Sequence, residues 1–136
     1  EWDDELAGEL GSLGTVVLSA PDIAEAGLGS GYNVVIHEMA HALDEEGAGC
    51  PTLPPSMPPD AWKMAFSAAF QAFSARVASR GRRRGAAAGL DPYAAESPGE
   101  FFAVACEEFF ERPRRLKSDW PGVYGQLAAY FGQDPV

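Results

Sequence analysis

The sequence is poor in the residues on which several classes of protein depend. Among its 136 residues are only two cysteines, too few for a disulfide framework or a four-cysteine zinc site. No apolar run approaches the ~18 residues of a membrane-spanning helix, so no membrane association is expected. Positive charge is also scarce: 10 Lys and Arg oppose 20 Asp and Glu, a formal net charge of -10. This balance argues against direct binding of nucleic acid, which needs a basic surface.

The shortage of positive charge is concentrated at the start of the chain. Residues 1–50 contain eleven acidic residues and no Lys or Arg, whereas residues 51–136 contain nine acidic residues and all ten bases. The acidic half is interpreted as a solubilising face or, alternatively, as a surface that repels anionic substrates. The length suits one domain, which at this size buries about two-thirds of its unfolded surface.

The first residue and the cysteine content bear on the origin of the chain and on its cellular compartment. The chain begins at Glu1 and not at a methionine, which is typical of a fragment, so a missing signal peptide carries little information. Two isolated cysteines favour the cytoplasm over an oxidising compartment. Cys50 lies in a Gly/Pro-rich stretch, and Cys106 lies among apolar helical positions, where a small buried core residue is expected.

Hydrophobic periodicity predicts a mostly helical chain with one early strand. The β-branched run Gly14–Ser19 is typical of a strand. Helices are predicted over residues 33–46, 60–79, 98–111 and 121–131. Residues 47–59 contain five prolines and are predicted to form an extended loop. In the second helix, a stripe at three- and four-residue spacing is expected to face the core: Trp62, Phe66, Phe70, Phe73 and Val77.

Both histidines of the chain lie in one motif, His37-Glu38-Met39-Ala40-His41, within the first predicted helix. Because a helix turns ~100° per residue, His37 and His41 share a face and can bind one metal ion. Zinc is the usual occupant of an HExxH site, and Glu38 is then placed beside a metal-bound water as general base. The alternative is an amphipathic helix whose solvent-facing side carries both histidines incidentally.

The residues alone leave the third ligand open. No third histidine exists, so a carboxylate is expected ahead of Cys or Tyr. Asp44 shares the helix with both histidines, which restricts tetrahedral closure, so a carboxylate from another helix is better placed. Glu100 also fits a capping box that begins at Ser97, in which its side chain turns back to the helix start. The candidates are Glu96, Glu100, Glu107 and Glu108.

Three blocks of the sequence resemble the Mlc titration factor A family of zinc peptidases. They read NVVIHEMAHALD, LDPYAAESPGEFFAVACEEFFERP and WPGVYGQLAAYFGQDP, in this order along the chain. The Tyr-x6-Glu-Phe-Phe-Ala arrangement in the second block is also similar to the catalytic domain of anthrax lethal factor. The resemblance implies an α+β fold, a mostly helical zincin-like domain of the gluzincin type with a small β-sheet and HExxH on its active-site helix. This single catalytic domain is expected over residues 1–136, without the family's N-terminal region.

The resemblance also implies roles for individual residues. The zinc ligands that it implies are His37, His41 and Glu100. Glu38 matches the family's general base, and Tyr93 matches a tyrosine that faces the developing oxyanion. Asp44 matches an acidic residue that can orient a histidine ligand, although a plain salt bridge is an equal alternative.

Two functions follow from the resemblance. The first is zinc-dependent hydrolysis of peptide bonds by zinc-activated water, with one Zn²⁺ per chain and aminopeptidase-like action on short peptides. In this interpretation the Gly14–Ser19 strand lines the cleft and holds an extended peptide. The second is a zinc-stabilised regulatory protein that binds and titrates a transcriptional repressor without catalysis. Tyr124 and Tyr130 of the last helix could serve such an interface, although core packing is favoured for both.

Overall fold

Helices dominate the computed structural model, which describes residues 9–10, 16–17, 33–80 and 90–136. The described residues form five α-helices and a 3-10 helix over Pro92–Ala95. The α-helices are α1 (Val34–Leu43), α2 (Pro59–Arg80), α3 (Pro98–Glu111), α4 (Pro113–Asp119) and α5 (Pro121–Phe131). Two short strands, β1 (Glu9–Leu10) and β2 (Val16–Val17), pair antiparallel with Glu9 opposite Val17. Within the described ranges, no helix is long and apolar enough to cross a membrane.

The mostly helical character expected from periodicity is confirmed, and the differences have local causes. The helices predicted over residues 98–111 and 121–131 have the expected bounds. The first helix is shorter than predicted because Asp44 leaves helical geometry and becomes the C-cap. The second begins at Pro59, since proline is tolerated in the first helical turn. Helix α4, of 7 residues, was too short for periodicity to reveal.

The predicted strand lies mostly outside the described residues. Of Gly14–Ser19, only Val16–Val17 are described, and they form β2. The small β-sheet implied by the family resemblance, beyond the two short strands described, and the contact of this strand with a peptide stay predictions.

Helix α3 lies at the centre of the core. Its residues from Phe101 to Phe109 are all buried. The predicted stripe of α2 packs against it: Phe66 and Phe73 lie 6.1 and 6.0 Å from Phe101 between ring centroids. Phe70 is only partly buried, and it too contacts this aromatic cluster. Because α3 is enclosed on most sides, the acidic residues that it carries are held in fixed positions.

Core positions were also predicted for Cys106, Tyr124 and Tyr130. Cys106 is buried in the core, as expected. Tyr124 is also buried, and its hydroxyl donates to Asp134 and accepts from the backbone N–H of Val136. Tyr130 is partly buried and packs against the core. Core packing therefore accounts for both tyrosines.

Candidate metal centre

Two capped helices bring the predicted site residues together. Asn33 is the N-cap of α1, and its side-chain oxygen accepts a hydrogen bond from the N–H of Ile36 at 3.1 Å. Ser97 is the N-cap of α3, and its hydroxyl accepts a hydrogen bond from the N–H of Glu100 at 3.2 Å. The two caps fix the helix starts, and the first turns of α1 and α3 then present His37 and Glu100 to each other.

The ligand atoms of His37, His41 and Glu100 converge on one point. Nε2 of His37 lies 3.0 Å from the Glu100 carboxylate, and Nε2 of His41 lies 3.2 Å from it. The two Nε2 atoms lie 3.2 Å apart. Neighbouring ligands of a tetrahedral zinc ion with Zn–N bonds of ~2.0–2.1 Å are about 3.3 Å apart. The three side chains therefore have the donor types and the spacing that a zinc ion requires.

The structure distinguishes among the four carboxylates that the sequence offers as the third metal ligand. The Glu100 carboxylate reaches both histidines, although Ser97 and the Glu100 N–H form the cap expected of a capping box. Glu107 contacts the other nitrogen of His37, and Glu108 pairs with Arg112 at 3.0 Å. Glu96 is exposed. Among the described residues, the group that could hold a metal ion is His37, His41 and Glu100.

Behind His37 lies a contact that the sequence did not reveal. The Nδ1 atom of His37 lies 2.5 Å from Oε2 of Glu107. The other oxygen of Glu107 accepts from the backbone N–H of Asn33 at 2.7 Å, and the side-chain amide of Asn33 donates to Glu111 at 2.8 Å. The seven-residue spacing of Glu100 and Glu107 indicates a shared helix face, but no sequence signal connects that face with Asn33.

Glu38 lies beside the histidines in a largely buried position. Burial raises the pKa of its carboxyl group, against the lowering influence of His37 and His41. The pKa of His37 is also raised: burial alone would lower it, but the hydrogen bond to Glu107 and its charge outweigh that effect. A carboxyl group with a raised pKa exchanges protons closer to neutral pH, which suits a general base.

Tyr93 stands at the open side of the site. It belongs to the 3-10 helix, and the side chain of Asp91 accepts from its N–H at 2.9 Å. Its ring centroid lies 6.4 Å from that of His37, and the residue is 49% exposed. The negative charge of Glu100 raises the pKa of the phenol, so the hydroxyl stays protonated and can donate a hydrogen bond.

Asp44 follows α1 directly and organises the next loop. Its buried carboxylate accepts from the backbone N–H groups of Ala48 at 3.1 Å and Gly49 at 2.8 Å. The indole N–H of Trp62 donates to the carbonyl of Gly49 at 3.1 Å. The described hydrogen bonds of Asp44 thus go to the loop, and the carboxylate that contacts Nδ1 of His37 is that of Glu107. The role of Asp44 in orienting a histidine, like its alternative as a salt bridge, stays a prediction.

The chain is similar to proteins whose descriptions agree with this geometry. The family model for glucose-regulated metallo-peptidase M90 matches residues 1–132. Mlc titration factor A of Edwardsiella ictaluri is 36% identical over 146 residues, and that of Pectobacterium atrosepticum is 31% identical over 146 residues. The Escherichia coli protein of the same name is 30% identical over 150 residues.

Each of these alignments takes in 100% of the chain and 55% or 56% of the relative. The chain therefore spans about half the length of the curated relatives that it matches.

Proposed function

We propose, since the chain belongs to the glucose-regulated metallo-peptidase M90 family, that it is a zinc-dependent peptidase. The observation that carries the proposal is the convergence of ligand atoms from two helices, all within 4.8 Å of one another. The ligands that we assign to one Zn²⁺ ion are His37, His41 and Glu100. Because the described residues supply three ligands, a bound zinc ion would keep a fourth position for water, as in catalytic zinc sites.

Zinc in this position would activate a water molecule near neutral pH and polarise the carbonyl group of the substrate. Glu38 then accepts a proton from the attacking water and delivers it to the leaving amine. Its position next to both histidines on α1 and its raised pKa support this role. To bind the metal ion, His37 and His41 each need a lone pair on Nε2, the atom that each ring directs toward the other ligands.

Tyr93 supplies a hydrogen bond to the oxygen that becomes negatively charged during the reaction. Its exposed position leaves the hydroxyl accessible to a bound peptide. The negative charge of the neighbouring Glu100 raises the pKa of the phenol, which favours the protonated hydroxyl that donates this hydrogen bond. A donor that is already in place lowers the barrier because it needs no reorganisation at the moment of reaction.

The substrate class that we propose is short peptides, cleaved in the manner of an aminopeptidase. This follows from the family resemblance and not from a described residue that would bind a free amino terminus. Strand β2, of which Val16–Val17 are described, could bind an extended peptide by adding it as a further strand.

The decisive experiment is hydrolysis of a mixed peptide library by the zinc-loaded chain, analysed by mass spectrometry. Glu38→Gln should lower the rate about 10²–10⁴-fold while zinc stays bound, because only the proton acceptor is lost. Glu45→Gln is the matched control: it removes an exposed carboxylate just beyond α1 and should leave the rate unchanged. Equal cleavage by the parent and Glu38→Gln would contradict the assigned mechanism.

A second candidate function rests on the name that the relatives carry. Those proteins are called Mlc titration factor A. As the second candidate we propose that this chain binds and titrates a transcriptional repressor, in the cytoplasm as its cysteine content predicts. Glu38→Gln distinguishes the two functions, because a binding protein keeps its affinity for the repressor when the general base is removed. A zinc-loaded parent that cleaves no peptide but binds the repressor would favour this second function.

A further inference from the structure

We propose that Glu107 is a positioning residue for the metal centre: with Asn33 it fixes the ring orientation and tautomer of His37 and so sets the affinity for zinc. The inference rests on the proposed function, since it concerns the same metal site. It adds to the metal ligands and the general base a carboxylate that touches neither metal nor substrate.

The two ring nitrogens of His37 face two different carboxylates. Nδ1 of His37 lies 2.5 Å from the Glu107 carboxylate, and Nε2 lies 3.0 Å from that of Glu100. A neutral imidazole has one donor nitrogen and one acceptor nitrogen. With the hydrogen on Nδ1 and donated to Glu107, the lone pair is on Nε2, where a metal ion can use it.

The Glu107 carboxylate is itself held in place. It is only 2% exposed, and its two oxygens accept from different donors, the imidazole of His37 and the backbone N–H of Asn33. Rotation of the carboxylate would break both hydrogen bonds at once and leave a buried charge unsatisfied. The orientation of the ring is therefore imposed by α3.

Asn33, which lies one helical turn before His37, connects the start of α1 to α3. Its side-chain oxygen caps α1, and its side-chain amide donates to Glu111. Glu107 and Glu111 are four residues apart on α3, so one turn of that helix holds the start of α1 at two points. The same contacts that begin α1 thus also place His37.

Glu108 offers a matched control for Glu107. It is the next residue of α3 and is equally buried at 2% exposure, but its carboxylate pairs with Arg112 at 3.0 Å. Replacement of either glutamate by glutamine removes one buried negative charge. Only the change at Glu107 disrupts the pair of hydrogen bonds to His37 and Asn33, because a glutamine has a single side-chain oxygen for these two donors.

The test measures zinc affinity by competition with a chromophoric chelator, together with thermal unfolding of the metal-free protein. Glu107→Gln should weaken zinc binding about 10–100-fold. Glu108→Gln should leave the affinity unchanged, even if it lowers the unfolding temperature. In the metal-free parent, at a pH above the imidazole pKa, a long-range ¹⁵N–¹H spectrum should show the His37 hydrogen on Nδ1.

The outcomes separate this proposal from the proposed function. Zinc binding by the parent with equal affinity in Glu107→Gln would overturn the positioning role and leave the metal centre intact. An Nε2–H tautomer of His37 in the parent would also overturn the positioning role. This measurement uses the unmutated protein, so it does not depend on whether a variant folds. A parent chain that binds no zinc would overturn the metal centre and the positioning role together.

Discussion

Gly49 lies against the start of α3 so closely that a Cβ atom on it would come within 2.6 Å of the carbonyl oxygen of Pro98. Gly49 also has a φ of +84°, a conformation that residues with side chains rarely adopt. The loop after α1, held by Asp44, is thereby fitted to the helix that carries Glu100 two residues beyond Pro98. The contact links the histidine helix with the carboxylate helix independently of any metal.

The first prediction concerns this contact. Gly49→Ala should destabilise the protein by about 2–5 kcal/mol, because left-handed strain is added to a clash with backbone. Gly47→Ala is the control, since Gly47 has a φ of +71° but a Cβ there would meet nothing within 4 Å. That variant should lose only about 1–2 kcal/mol. Urea unfolding measures both, and equal losses would show that the contact with Pro98 is not tight.

The second prediction tests the ligand set. His41→Ala and Glu100→Gln should each abolish tight binding of zinc, since two remaining ligands hold the ion poorly. Glu96→Gln, at an exposed candidate carboxylate, should keep one zinc ion per chain. Metal content after dialysis against a weak chelator is the measurement. Retention of zinc by Glu100→Gln together with its loss from Glu96→Gln would reassign the third ligand.

The third prediction concerns Tyr93. Tyr93→Phe should lower kcat about 10²–10³-fold, because a donor to the oxyanion is lost from the transition state. The free energy of unfolding should change by less than about 0.5 kcal/mol, because the side chain is 49% exposed. Steady-state kinetics on a cleaved library peptide measure the effect. An unchanged kcat with a raised KM would assign Tyr93 to substrate binding alone.

The fourth prediction addresses the core on which α3 rests. Phe73→Ala should lower the free energy of unfolding by about 3–5 kcal/mol, since Phe73 is fully buried between α2 and α3. Phe110→Ala removes a ring of the same size that is 37% exposed, and it should cost clearly less. Chemical denaturation of both variants is the measurement. Similar losses at the two positions would mean that Phe110 is covered in solution.

The identity of the chemical groups was predictable because it depends on local spacing. The HExxH motif lies on one helix, and four residues of helical rise place His37 and His41 one turn apart whatever surrounds them. Glu100 and Glu107 share a face of α3 for the same reason. The helix bounds at Pro98 and Pro121 were also readable, since proline marks a first helical position.

Only the tertiary structure decided which of these groups contact one another. Glu107 was one of four candidate carboxylates in the sequence, and its contact with His37 joins residues 70 positions apart. Asp44 shares the helix end with the motif, but its carboxylate folds back onto the loop that meets Pro98. The sequence by itself determined that His37 and His41 share one helix face, and it limited the third ligand to a few carboxylates, because helical periodicity is local. Which carboxylate reaches which nitrogen depends on how α1 packs against α3, and that packing results from a buried core of residues far apart in the chain.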